Sequence, residues 1–191
     1  MKMRKIISRK EEQKKEKRKQ FIVSLVLIFV MCSSIIGYSL SGLGNTSSTS
    51  VKYNGFKFTY ESNYWDVDVG DYSFSFAYNP NQIEKLNSSF NLLENYKGKP
   101  LYIYSENSEA ETEIYKNLFY QNSIVQRVQY ACLEGEICEE DVPIKTCEDN
   151  FIIIKESEEN SVSQENNCVF IRGKELTKIS DSFLFKIIGI Q

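Results

Sequence analysis

The sequence predicts an α+β protein in which an N-terminal transmembrane helix is followed by one extracytoplasmic domain with an antiparallel or mixed sheet and about three helices. Residues 21–40 form an uncharged, largely apolar run. From residue 51 onward, segments with alternating apolar residues, typical of strands, occur beside segments with apolar residues every three or four positions, typical of helices. The 141 residues from 51 to 191 are enough for one hydrophobic core.

The apolar run predicts a membrane anchor at residues 21–40. Twenty helical residues span about 30 Å, the thickness of the hydrocarbon layer. Residues 1–20 contain ten basic residues and three glutamates, a net charge of +7, whereas the first basic residue after the run is Lys52. This asymmetry predicts a cell-membrane protein with a cytoplasmic N-terminus and its C-terminal domain outside.

A cleaved secretory signal is the alternative to an anchor. Signal peptides have an apolar region of about 7–15 residues followed by small residues at the cleavage site. The run in this chain is longer, and Ser39-Leu40-Ser41 fits a cleavage site poorly. We therefore expect a retained, single-pass span whose partner is the lipid bilayer.

Composition divides the rest of the chain into three parts. Residues 1–20 are a basic cytoplasmic tail, residues 41–50 are a Gly/Ser-rich linker predicted to be flexible, and residues 51–191 are the domain. The domain has 13 basic and 23 acidic residues, a net charge of −10. Such a surface repels nucleic acid and anionic lipid, and the tail lacks the aromatic residues of a nucleic-acid site.

Two hairpins are predicted at the start of the domain. Asn54-Gly55 lies between aromatic residues and is a strong hairpin-turn signal. Residues 65–69 and 72–78 alternate between apolar and polar side chains on either side of Gly70-Asp71. This pattern predicts a second hairpin with one apolar face.

The remaining pattern predicts three helices and four strands. We expect helices at residues 81–96, 110–120 and 175–188, strands at 101–105 and 124–132, and a long-looped hairpin formed by residues 151–155 and 167–172. A thioredoxin-like half is an alternative arrangement. It would place a strand-helix-strand unit before Pro143, where that fold has a cis-proline.

Four of the five cysteines lie in the domain, where an oxidising compartment would permit disulfide bonds. Four cysteines allow three pairings, and we favour Cys132–Cys138 together with Cys147–Cys168. A redox or zinc site is the competing interpretation, but the chain lacks the C-x-x-C motif that either would favour. Cys32, within the apolar run, is interpreted as a small hydrophobic residue.

The sequence identifies no catalytic, cofactor-binding or metal-binding residue. Histidine is absent, which excludes His-dependent nucleophiles and the commonest metal ligand. The acidic runs near residues 134–141 and 156–159 are interpreted as solvated loops. Asn45 and Asn87 begin N-x-S/T sequons and are candidate glycosylation sites.

The overall layout resembles uncharacterised single-pass membrane proteins of small-genome archaea. The resemblance rests on the basic start, the single span and three stretches of the domain. These are Tyr53-Asn54-Gly55-Phe56-Lys57-Phe58, Asn166-Asn167-Cys168-Val169-Phe170-Ile171, and the ending from Asp181 to Ile190. It implies the same topology and a Cys147–Cys168 pairing, and it implies no activity.

We therefore expect a membrane-anchored interaction or accessory domain, a subunit or partner in a membrane or cell-surface assembly with an unidentified protein partner. The domain contains eleven of the twelve tyrosines, which suits a protein interface if several are exposed. The alternative is an extracytoplasmic enzyme, either of thioredoxin-like shape or a carboxylate-dependent hydrolase. A concave pocket with two converging buried carboxylates would favour the enzyme, and an exposed apolar patch would favour the interaction domain.

Overall fold

The computed structural model describes residues 9–41, 49–138 and 141–191. Within the first of these ranges, side chains are described for residue 13 and residues 16–33. The chain divides into two compact units, Met1–Ser47 and Ser48–Gln191. The predicted linker lies largely outside the described residues, so its flexibility stays a prediction.

The first unit contains one long helix, α1 (Arg9–Ser41), of 33 residues. All of its described side chains are exposed, including those of the apolar residues 21–33. Within the described residues, no helix combines the length and the apolarity needed to cross a membrane.

The second unit is an α+β domain, as predicted, and its described residues form two large sheets, a two-stranded sheet and two α-helices. An antiparallel sheet comes first, in the order β1-β2-β3-β4. A mixed five-stranded sheet has the order β10-β11-β9-β5-β6, and a small parallel pair is formed by β7 and β8. The strands are β1 (Ser50–Tyr53), β2 (Phe56–Glu61), β3 (Tyr64–Val69), β4 (Tyr72–Phe76), β5 (Pro100–Ser105), β6 (Arg127–Tyr130), β7 (Cys132–Leu133), β8 (Ile144–Lys145), β9 (Phe151–Glu156), β10 (Ser161–Glu165) and β11 (Cys168–Gly173). The helices are α2 (Ser108–Tyr115), which continues as a π-helical turn (Lys116–Tyr120), and α3 (Leu176–Ile187).

Both predicted N-terminal hairpins are confirmed. Asn54 and Gly55 have φ values of 46° and 87° at the β1–β2 turn, the left-handed geometry that favours Asn-Gly in a tight hairpin. The β3–β4 pair turns at Gly70, whose φ is 62°. Trp65 and Val67 point to the buried face of this sheet, as their alternation with aspartates predicts.

Helices α2 and α3 pack between the two sheets and form the main core. Phe185 of α3 contacts Phe58 and Phe76 of the antiparallel sheet, with ring centroids 5.6 and 4.3 Å apart. The same core contains one face of the five-stranded sheet, including Ile103 and Ile152. Alternate residues of that sheet point the other way and form a second cluster on its outer face, made of Tyr102, Ala131, Phe151, Ile153 and Cys168.

Two predictions about secondary structure were wrong. Residues 81–96 are not a helix: apart from a 3-10 turn at Leu93–Asn95, they form an irregular connection. The strands predicted as a hairpin, β9 and β11, are parallel neighbours, and the antiparallel partner of β11 is β10. The described residues of the domain contain two α-helices, a 3-10 turn and a π-helical turn.

The thioredoxin-like alternative gains no support from the strand directions. β6, β5, β9 and β11 are all parallel, and only the edge strand β10 runs antiparallel. No cis peptide bond occurs in the described residues, so the bond before Pro143 is trans.

Candidate functional site

A segment held by two disulfide bonds covers the outer face of the five-stranded sheet. Both favoured cysteine pairings are present. Cys132–Cys138 closes a short loop with Cα atoms 6.1 Å apart, and Cys147–Cys168 joins the end of the segment to β11 with Cα atoms 4.9 Å apart. Cys168 is fully buried in the outer-face cluster.

The segment exposes two large aliphatic side chains. Ile137 has 97% of its surface exposed and Ile144 has 70%. Ile144 pairs with Cys132 in the β7–β8 ladder, and the disulfide bond joins Cys132 to Cys138, next to Ile137. The two isoleucines therefore belong to one covalently braced unit.

Acidic side chains accompany these isoleucines. Glu134 and Asp141 are exposed, and neither forms an ion pair with any other described residue. We define the Ile137 surface as Glu134, Ile137, Asp141 and Ile144. It combines exposed aliphatic groups with negative charge.

Two lysines anchor the segment to the sheet. Lys155 of β9 binds Glu136 with an Nζ–Oε2 distance of 2.8 Å, and this contact lowers the pKa of Glu136. Lys145 of β8 lies 4.3 Å from the ring centroid of Tyr102 and 3.5 Å from an Asp149 oxygen. The pKa of Tyr102 is lowered, chiefly by its hydrogen bond with Lys145.

A buried carboxyl pair joins α2 to α3. Asp181 has no exposed surface and Glu113 is 4% exposed. Glu113 accepts from Lys116 Nζ at 2.9 and 3.0 Å, and Tyr78 N–H donates to Asp181 Oδ2 at 2.9 Å. Burial, and after it the negative charge of Glu113, raises the pKa of Asp181 well above its ordinary value.

The second carboxyl oxygen of Asp181, Oδ1, is buried and has no hydrogen-bond partner among the described residues. Burial of Asp181 beside Glu113 favours the protonated form of Asp181, and Lys116 balances the charge of Glu113.

Neighbouring asparagines seal the edge of β4. Asn117 is fully buried, accepts from Ser75 N–H at 2.9 Å and donates to Ser75 C=O at 2.9 Å. Asn122 makes the same two contacts with Ser73, at 3.1 and 2.9 Å. The side-chain amides replace the next strand of the sheet, so this edge is closed to pairing with another chain.

The carboxyl pair lies apart from the main cavities of the described residues. One cavity of about 450 Å³ lies between residues 81–86, the start of β10 and α3. A second, of about 230 Å³, lies between α2 and the β5–β6 strands. Neither Glu113 nor Asp181 lines these cavities or two further ones near Cys138 and Lys174. Both carboxyl groups are buried against α2 and α3.

Several tyrosines are exposed, as an interface would require. Five of the eleven in the domain have 37–76% of their surface exposed: Tyr60, Tyr64, Tyr115, Tyr120 and Tyr130. They are dispersed over β2, β3, α2, the π-helical turn and β6.

The other sequence-predicted sites are placed as follows. Asn87 is exposed, as a glycan acceptor must be, and Asn45 lies outside the described residues. Cys32 is a free, exposed cysteine on α1. Within the described residues, no three Cys, Asp or Glu side chains converge as metal ligands.

Sequence reasoning missed the carboxyl pair and the Ile137 surface. Asp181 carried a signal, because it lies between buried positions of an apolar helix, where a carboxylate needs a partner. Ile137 carried another, as a lone aliphatic residue next to Cys138 in an acidic run. Neither sequence signal identifies the residues that lie next to Asp181 or Ile137 in the fold.

Comparison with protein families, curated proteins and solved structures finds no match to this chain.

Proposed function

We propose that this protein is a single-pass membrane protein that displays a disulfide-stabilised α+β interaction or accessory domain outside the cell. Residues 21–40 would cross the bilayer, the basic tail would stay in the cytoplasm, and the domain would be a subunit or partner in a membrane or cell-surface assembly. The resemblance to archaeal single-pass proteins implies the same topology, and we include it in this proposal.

The observation that carries the membrane part is the apolar stretch of α1. Its ten large apolar side chains between Phe21 and Met31 are each 53–73% exposed. Residues 34–40 continue the stretch in the sequence without a charge. So much exposed apolar surface is unfavourable in water and favourable in lipid.

The two disulfide bonds support an external location for the domain. Disulfide bonds persist in oxidising compartments and are rare in the cytosol. The bonds hold a segment over the outer face of a sheet that would otherwise expose Phe151 and Ile153.

An interaction role fits the surface better than catalysis does. The domain exposes aliphatic and aromatic side chains, and its converging carboxyl groups are sealed from solvent. The enzyme alternative, thioredoxin-like or hydrolytic, needs an accessible reacting group, and both disulfide bonds and the carboxyl pair serve packing in this fold.

The test is purification of the full chain from its own membranes in mild detergent after chemical cross-linking, with mass spectrometry of what accompanies it. We expect a stoichiometric protein partner in the membrane fraction. A matched preparation of the variant Leu27→Lys/Ile28→Lys should lose membrane retention, because each lysine at the centre of a span costs about 3 kcal/mol. Recovery of the unmodified protein alone, or in the soluble fraction, would contradict the proposal.

A further inference from the structure

The Ile137 surface is the part of the domain best suited to docking. Ile137 and Ile144 place two aliphatic side chains in water, with exposures of 97% and 70%. Burial of such a side chain in an apolar pocket of a partner stabilises a complex. Isolated exposed hydrophobic residues are common, but these two share one braced unit.

The bracing makes the surface ready to bind. The β7–β8 ladder and the Cys132–Cys138 bond hold the unit together. The Lys155–Glu136 ion pair, at 2.8 Å, fixes the loop against β9. Because these contacts hold the residues next to Ile137 and Ile144, the two side chains lose little conformational entropy when a partner binds.

Charge decides between the candidate occupants. Glu134 and Asp141 accompany the isoleucines without a basic partner among the described residues. A second copy would bring the same negative charges into contact, and an anionic bilayer would repel them. A protein with Lys or Arg around an apolar pocket would instead gain both contacts.

We infer that the Ile137 surface docks a different protein through an apolar pocket that receives Ile137 and a basic rim that faces Glu134 and Asp141. This inference rests on the proposed interaction function and adds the position of the interface and the chemistry of the partner. Ile137 is the central contact, and the acidic residues set orientation and association rate.

The experiment places the photo-reactive residue p-benzoylphenylalanine at position 137 of the full chain in its own membranes. We expect one adduct with a different protein, and we expect the cross-linked peptide to contain Lys or Arg beside apolar residues. Glu134→Lys combined with Asp141→Lys should lower the adduct yield at least about fivefold, because two exposed charge pairs contribute about 1 kcal/mol or more.

Two controls make the result specific. Glu159→Lys combined with Glu165→Lys changes the charge equally on exposed residues of the β9–β10–β11 region and should leave the yield unchanged. The photo-reactive residue at Leu92, which is 59% exposed and lies outside the surface, should give no adduct with that protein.

Each other outcome overturns the inference in a distinguishable way. An adduct with lipid would make the surface a membrane contact, and an adduct with a second copy would make it a homodimer interface. If a stoichiometric partner is purified but attaches at position 92 rather than 137, the location is wrong and the proposed function stands. If no partner is found by either experiment, both fail.

Discussion

Asp181 and Glu113 illustrate how the domain accommodates ionisable groups in its core. Asp181 projects from α3 without exposed surface, and Lys116 and Glu113 are the charged groups that face it. A buried carboxylate beside another carboxylate is unfavourable, so the proton is retained to a higher pH than usual. The pair therefore couples the stability of the α2–α3 packing to pH.

Asp181→Asn should make the protein less sensitive to pH. Because the folded-state pKa of Asp181 is raised, its favourable contribution to stability is complete below the unfolded-state pKa of about 3.9 and is lost as pH rises through the raised value. Relative to wild type, the variant should gain up to about 1.4 kcal/mol for each pH unit in that interval. Denaturant unfolding of the full chain in detergent between pH 4 and pH 8 measures the difference. Asp71→Asn, at an exposed position, is the control, and a difference independent of pH would refute the account.

Asn117→Leu should destabilise the domain much more than Asn122→Leu. Asn117 is fully buried, and its loss leaves the N–H and C=O of Ser75 without partners, at a cost of about 2–4 kcal/mol. Asn122 is half-buried, so water can replace its contacts with Ser73, and the cost should be below about 1 kcal/mol. Equal unfolding midpoints for the two variants would contradict the role given to the Asn117 amide.

Residue chemistry was predictable where it depends on local geometry. Asn54-Gly55 specifies its own turn, and the cysteines specified a disulfide framework in a domain expected outside. The Glu113–Asp181 pair depends on α2 and α3 meeting across a sequence separation of 68 residues, which no local pattern encodes. Sequence alone therefore located the covalent braces but not the buried polar network.

At the level of elements, residues 81–92 show why apolar spacing can mislead. Ile83, Leu86 and Phe90 do pack against the core, as the predicted helix would require. The backbone, however, bonds to distant side chains. Leu86 N–H donates to Gln191 Oε1 at 3.4 Å, and Asn91 N–H donates to Gln164 Oε1 at 2.8 Å. Periodicity identified the buried side chains, and tertiary contacts decided the backbone.

The parallel pairing of β9 with β11 also differs from the hairpin that the sequence predicted. Both strands are buried on two faces, which suits central parallel strands better than a hairpin. The polar sequence between them was predicted to be a turn, but it forms the edge strand β10. Val162 is the one buried residue of this strand. A short edge strand with one buried residue gives too weak a pattern to be detected.

The two disulfide bonds should differ in their contribution to stability. Chain-entropy arguments give about 3 kcal/mol for the 21-residue separation of Cys147–Cys168 and about 2 kcal/mol for the 6-residue separation of Cys132–Cys138. Cys168 also fills the outer-face cluster, so Cys147→Ser/Cys168→Ser should lower the unfolding free energy more than Cys132→Ser/Cys138→Ser. Chemical denaturation of both variants and wild type checks the order, and the reverse order would contradict it.

At the scale of the whole molecule, the chain separates into two compact units, Met1–Ser47 and Ser48–Gln191. Net charge changes along the sequence as well, from +7 in residues 1–20 to −10 in residues 51–191. The sequence also predicted an α+β domain. The location of each unit relative to a membrane is the central claim that the proposed function adds.

A pair of C-terminal reporters tests that claim most directly. One fusion carries alkaline phosphatase after Gln191, and a second carries green fluorescent protein at the same position, both in a bacterial host. The phosphatase is active only outside the cytoplasm, whereas the fluorescent protein fluoresces only inside it. We predict active phosphatase and a dark fluorescent fusion, with the opposite pattern when the reporters replace everything after Gln20. Fluorescence together with inactive phosphatase at Gln191 would place the domain in the cytoplasm and contradict the account.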